Sequence, residues 1–79
     1  MELNRLSWRC RRGMAELDLL LVPFFEDAFT DLAENQKRTF VSLLAEEDPV
    51  LWEWFSERAE PSDSATQALV QFMLTRVRP

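Results

Sequence analysis

The sequence has no histidine and no tyrosine, one cysteine (Cys10) and one glycine (Gly13). Without histidine it lacks the side chain most often used for acid–base catalysis and metal ligation. A lone thiol can neither close an internal disulfide nor build a zinc site, so a reducing compartment and no metal are expected. The apolar runs, Leu19 to Phe25 and Val41 to Ala45, fall far short of the roughly 20 residues that cross a bilayer, so no membrane insertion is expected. Met1 to Arg12 alternate charged and apolar residues, unlike a secretory signal with its basic start and apolar stretch. The acids and bases left for catalysis are mainly carboxylates, and Glu16 and Asp18, two residues apart, fall on different faces of a helix. The chain is therefore read as no enzyme.

What is present is a 79-residue chain with 47% hydrophobic and 29% charged residues, the composition of a globular protein, read as a single domain over residues 1–79. A chain this small hides only about 60% of its unfolded surface, so six Phe and three Trp are expected to supply much of the packing. The net charge of −5 is uneven. Residues 1–16 hold four Arg against Glu2 and Glu16, giving +2, whereas residues 17–79 hold five basic against twelve acidic side chains, giving −7. An acidic protein is repelled by nucleic acid and anionic lipid, so the basic end is expected to meet an acidic patch on a protein.

Hydrophobic periodicity predicts an all-α fold, a small bundle of five short helices with no strand pattern. Leu3, Leu6 and Cys10 make the inward stripe of a first helix running to about Arg12, with Trp8, Arg5, Arg9 and Arg12 on the opposite, outward sector. Cys10 is read as a small buried hydrophobe. A second helix restarts near Met14 and carries Leu17, Leu20, Leu21, Phe24, Phe25 and Ala28 inward. Pro23 within it is expected to cause a kink or to divide it into two. A third follows Asp31, with Phe40, Leu43 and Leu44 inward and Lys37, Arg38 and Ser42 outward. Asp48 as N-cap with Pro49 at N1 opens a fourth, to about Arg58, in which Leu51, Trp52 and Phe55 pack and Trp54 lies nearer the rim. Ser64 and Gln67 match a capping box for a fifth, with Ala65, Leu69, Phe72 and Met73 inward.

The stretch Trp8 to Asp18 concentrates what is distinctive: the only glycine, the only cysteine and, with Arg5 just before it, four of the nine basic residues. Each member also has an ordinary reading. Gly13 suits a left-handed helix C-cap, Glu16 favours the N-terminus of the next helix, and the arginine face could be a solvated surface. An exposed Trp among arginines is nevertheless the composition of an interface hot spot.

Arg12, Gly13 and Glu16 form R-G-x-x-E. Pro23-Phe24-Phe25, Lys37-Arg38, Leu43-Leu44, Asp48-Pro49 and Thr75-Arg76 follow it in order. Together they cover nearly the whole chain, and in this series the sequence resembles the SdhE family of succinate dehydrogenase assembly factors. Ala33 departs from the pattern where a capping Ser would be expected, which puts only that helix boundary in doubt. The resemblance implies a chaperone that binds the flavoprotein subunit of succinate dehydrogenase, or of fumarate reductase, and promotes covalent attachment of FAD while binding none permanently itself. It implies a docking surface of Trp8, Arg9, Arg12, Gly13 and Glu16, a monomer, and, with the motif so near the first Met, a bacterial cytoplasmic location. Members of the family have also been described as antitoxins acting against toxins of cytoskeletal proteins, a second protein-binding role for the same surface. A helix-turn-helix DNA-binding domain is the third reading, disfavoured because the later helices are mostly acidic.

Overall fold

A computed structural model describes residues 3–77, and among them the fold is all-α. Helix α1 spans Leu3–Arg9, α2 Ala15–Ala28, α3 Glu34–Leu44, α4 Asp48–Phe55 and α5 Ser64–Val77, with a 3-10 turn at Phe29–Asp31. Helix α2 is the centre, touching α1, α4 and α5, while α3 packs along α5. One hydrophobic cluster joins all five helices, and among the described residues no polar side chain is buried.

The aromatic residues meet where α2, the 3-10 turn and α3 converge. Phe24 and Phe40 lie with ring centroids 5.6 Å apart, and Phe25 stacks on Phe29 at 5.0 Å. Such pairs add about 0.5–1.5 kcal/mol beyond the area they bury. Lys37, expected outward, lies across the Phe29 ring, while Arg38 and Ser42 are exposed. Leu51 and Phe55 are buried, with Trp52 and Trp54 half-buried on the same cluster.

Pro23 does not divide α2 into two helices, because Ala15–Ala28 runs as one helix with the proline inside it. Proline frees the carbonyl four residues back, that of Leu19, and Leu19 and Pro23 both face solvent, where water can satisfy it. The apolar face of α2 is as expected in Leu17, Leu21, Phe24 and Ala28, with Leu20 and Phe25 at its half-buried edge.

Other boundaries differ from expectation for local reasons. Helix α1 stops at Arg9, so Arg12 is not on it. Leu6 and Cys10 are buried as expected, but Leu3 is largely exposed. Helix α4 ends at Phe55, short of Arg58, because Glu57 takes a left-handed φ of 65° and the Arg58 and Ala59 N–H groups turn back to the Glu53 carbonyl. Ala33 caps α3 and has no side-chain oxygen, but its own N–H donates to Gln36 Oε1 at 3.0 Å.

The cap of α5 is Asp63 and not Ser64. Asp63 Oδ2 accepts from the Thr66 N–H at 2.9 Å and from the Thr66 hydroxyl at 2.8 Å. Those two bonds hold the Asp63 carboxyl below the usual aspartate range. Gln67 reaches the Pro61 carbonyl instead of closing a box. Along α5 the buried stripe is Leu69, Val70, Met73 and Leu74, whereas Ala65 and Phe72 are exposed.

Candidate functional site

The site is the turn between α1 and α2. The Cys10 N–H bonds the Leu6 carbonyl at 3.1 Å and the Arg11 N–H bonds the Trp8 carbonyl at 3.0 Å, after which the backbone leaves the helix. Gly13 supplies the reversal with φ +85°, a conformation that costs a non-glycine residue roughly 1–2 kcal/mol. A Cβ at Gly13 would meet nothing within 4 Å. Its need for glycine is thus conformational within the fold, and the space above it is open.

Arg12 departs furthest from its expected place. It lies off the helix with its side chain only 15% exposed, not on the outward sector with Trp8. Its N–H donates to Asp18 Oδ1 at 2.7 Å and takes no part in the α1 hydrogen-bond ladder, which already tightens at Arg11, whose N–H bonds the Trp8 carbonyl. Its guanidinium then bonds in four directions. Nε meets Asp48 Oδ1 at 2.8 Å, Nη1 donates to the Leu44 carbonyl at 2.8 Å and the Arg9 carbonyl at 3.1 Å, and Nη2 donates to the Glu46 carbonyl at 2.6 Å. Leu44 ends α3 and Arg9 ends α1. One cation therefore caps the C-termini of two helices, where orphan carbonyls and the helix dipole both favour positive charge.

This arrangement also corrects the reading of Asp48. It occupies the first turn of α4, with Glu47 as N-cap and Pro49 following, and its carboxylate faces Arg12 and makes no cap bond of its own. Neither Asp18 nor Asp48 stood out from the sequence as a partner of the motif. Asp18 was legible only as a carboxylate a few residues past Arg12, and Asp48 as a helix start and as half of the Asp48-Pro49 pair in the series that follows the motif.

Around this anchored turn the remaining motif side chains face outward. Trp8 is 72% exposed, and the Arg11 guanidinium carbon sits 5.9 Å from its ring centroid, a cation–π contact. Arg5 and Arg9 are exposed on α1. Glu16 is exposed in the first turn of α2, where its charge favours the helix N-terminus, and no ion pair with a described residue holds it. Leu19, three residues on and so on the same helix face, is 73% exposed. Leu19 falls outside the hydrophobic stripe of α2 in the sequence, and only its spacing from Glu16 marks it.

Cys10 lies beneath the turn, fully buried, and burial raises its thiol pKa from 9.0 to about 11 against the opposing pull of Arg12, Arg11 and Arg9. It packs as a small hydrophobe and is protected from ionisation. Among the described residues no group of His, Cys, Asp and Glu could hold a metal ion, and no helix is long and apolar enough to cross a membrane. A cleft of about 250 Å³ lined by Trp54, Glu57, Pro61, Gln67, Val70 and Gln71 involves none of the motif residues. What the turn offers is an exposed aromatic, cations, an exposed carboxylate and open backbone on a hydrogen-bonded base, the constituents of a protein-docking surface.

Comparison with known proteins agrees with the motif. The family model described as "Flavinator of succinate dehydrogenase" matches residues 4–77. A protein named FAD assembly factor SdhE from Pseudomonas putida is 47% identical over 78 residues, covering 99% of this chain and 93% of the relative. Proteins of the same name from Pectobacterium atrosepticum and Pseudomonas savastanoi pv. phaseolicola are 41% and 44% identical, covering 92% and 100% of this chain and 83% and 94% of theirs. On both the matched span and these identities, the chain belongs to the SdhE family, the flavinators of succinate dehydrogenase.

Proposed function

We propose that this protein is an assembly factor that binds the flavoprotein subunit of succinate dehydrogenase and promotes covalent attachment of its FAD. The observation that supports the reading is the α1–α2 turn, where Trp8, Arg9, Gly13 and Glu16 lie exposed around the anchored Arg12. The surface suits a folded protein partner. Trp8 supplies apolar area at small entropic cost, Arg9 and Glu16 offer charges of opposite sign, and the open space above Gly13 permits close backbone approach.

In this reading the bond between flavin and protein forms on the client, and this chain contributes positioning without entering the covalent step. FAD is handled on the client and is not held permanently here. Fumarate reductase, whose flavoprotein subunit would have to offer the same docking surface, is the second client. The protein acts as a monomer in the bacterial cytoplasm.

A reconstituted reaction tests this directly. Purified flavoprotein subunit lacking covalent flavin is incubated with FAD, with and without this chain, and covalent flavin is read by fluorescence after denaturing electrophoresis. The reading requires faster or more complete attachment with the chain present. Equal rates, together with no binding between the two proteins, would overturn it.

A further inference from the structure

We infer that Asp48 is a positioning residue for client docking: it holds Arg12 folded inward, so that the motif arginine shapes the Gly13 turn and does not itself bond the client. The inference rests on the docking reading above and deepens it. Four guanidinium bonds are already made, to Asp48 and to the Leu44, Arg9 and Glu46 carbonyls, and the Arg12 backbone N–H is taken by Asp18. Swinging the side chain out to a partner would strip the part-buried Asp48 carboxylate of its cation and orphan the carbonyls that end α1 and α3. A client carboxylate would have to outbid all of these contacts at once.

The arrangement ties the motif turn to the far side of the sequence. Arg12 and Asp48 are 36 residues apart, and Asp48 opens α4 just after the acidic turn that follows α3. Asp18 fixes the same turn from the α2 side through the Arg12 N–H. With both carboxylates in place, Gly13 is held between two anchored points, and Trp8 and Glu16 keep one spacing on either side of it. Releasing the Asp48 end lets that spacing vary, so the client must select one arrangement from several and affinity falls.

The test is a double-mutant cycle on affinity for the purified flavoprotein subunit, by titration calorimetry, using the full chain. Asp48→Ala is expected to weaken binding about tenfold when Arg12 is present and to change little in an Arg12→Ala background. Asp48→Asn keeps an oxygen for the Nε donor and is expected to recover most of the loss. Asp63→Ala, which removes the α5 cap, serves as a variant destabilised elsewhere and is expected to bind as the wild type does. Should Asp48→Ala fail to fold at the assay temperature, Asp48→Asn carries the same comparison with a smaller expected loss.

Unchanged or tighter binding by Asp48→Ala would mean that freeing Arg12 helps it reach the client, and would overturn the inference. The same weakening in both Arg12 backgrounds, or equal weakening by Asp63→Ala, would overturn it as well. Failure of the wild type to bind the subunit is a different result and removes the docking reading itself.

Discussion

Arg12 Nε lies 2.8 Å from Asp48 Oδ1, joining the α1–α2 turn to the start of α4. The same guanidinium satisfies the carbonyls at the ends of α1 and α3, so one side chain ties three helices together around the proposed docking surface. The motif arginine is thereby part of the fold, beneath the exposed side chains of the turn.

Replacing Arg12 by Lys retains the charge but loses the planar fork, since one ammonium cannot reach the carboxylate and three carbonyls together. Arg12→Lys is expected to cost about 1–3 kcal/mol, read as a drop in the thermal midpoint on the order of 10 °C. Circular dichroism melts check this. A midpoint within a degree or two of wild type would show that water replaces the lost bonds at no cost.

Gly13 separates a backbone effect from a surface effect. Gly13→Ala is expected to cost about 1–2 kcal/mol from the positive φ alone, because no atom lies within 4 Å of the added Cβ. Gly13→Arg should cost the fold a similar amount yet weaken client binding further than Gly13→Ala does. Parallel melts and affinity titrations of the two variants decide it, and equal binding would reduce Gly13 to a helix terminator.

For α5 the cap is assigned to Asp63, so Ser64→Ala should leave the melt unchanged while Asp63→Ala lowers it. The Asp63 contribution also has a defined pH dependence. Its folded-state pKa is depressed, so the stability it confers is present above the ordinary aspartate pKa and is lost as pH falls through the lowered folded value. Melts of wild type and Asp63→Ala should therefore converge in acid.

Cys10 has the opposite sign. Its pKa is raised from 9.0 to about 11, so the folded state retains a proton that the unfolded chain releases. Its contribution is complete below about pH 9 and is lost as pH rises toward 11, amounting to about 2–3 kcal/mol in all. At pH 8 the native thiol should resist iodoacetamide, with alkylation appearing only on denaturation. Rapid labelling of the native protein would contradict its burial.

Features legible in the sequence were those set by neighbours in the chain. Helical spacing gave Leu6, Cys10, Leu17, Leu21 and Phe24 as core, and the lone glycine marked the turn. Trp8 was legible as exposed because it lies opposite the stripe of Leu6 and Cys10. Arg12 was placed with Trp8 by extending that same helix, and its bonds to residues 32 to 36 positions away leave no local trace. The continuity of α2 through Pro23 was also hidden, since it depends on which face of the helix meets water. In α5 helical spacing predicts Ala65 and Phe72 inward, whereas the buried stripe is Leu69, Val70, Met73 and Leu74, since α5 packs against α2, α3 and α4, elements distant in sequence.

If the α1–α2 turn docks the flavoprotein subunit so that FAD becomes covalently attached, the readout is covalent flavin on the succinate dehydrogenase flavoprotein subunit in cells lacking this gene, complemented with wild type or with Glu16→Ala. Circular dichroism of purified Glu16→Ala must show an intact fold, as expected for an exposed side chain held by no ion pair with a described residue. Flavin fluorescence should be lost on deletion, restored by wild type and not restored by Glu16→Ala. Full flavinylation without the gene would contradict the assembly role, and full restoration by Glu16→Ala would contradict the placement of its site at this turn.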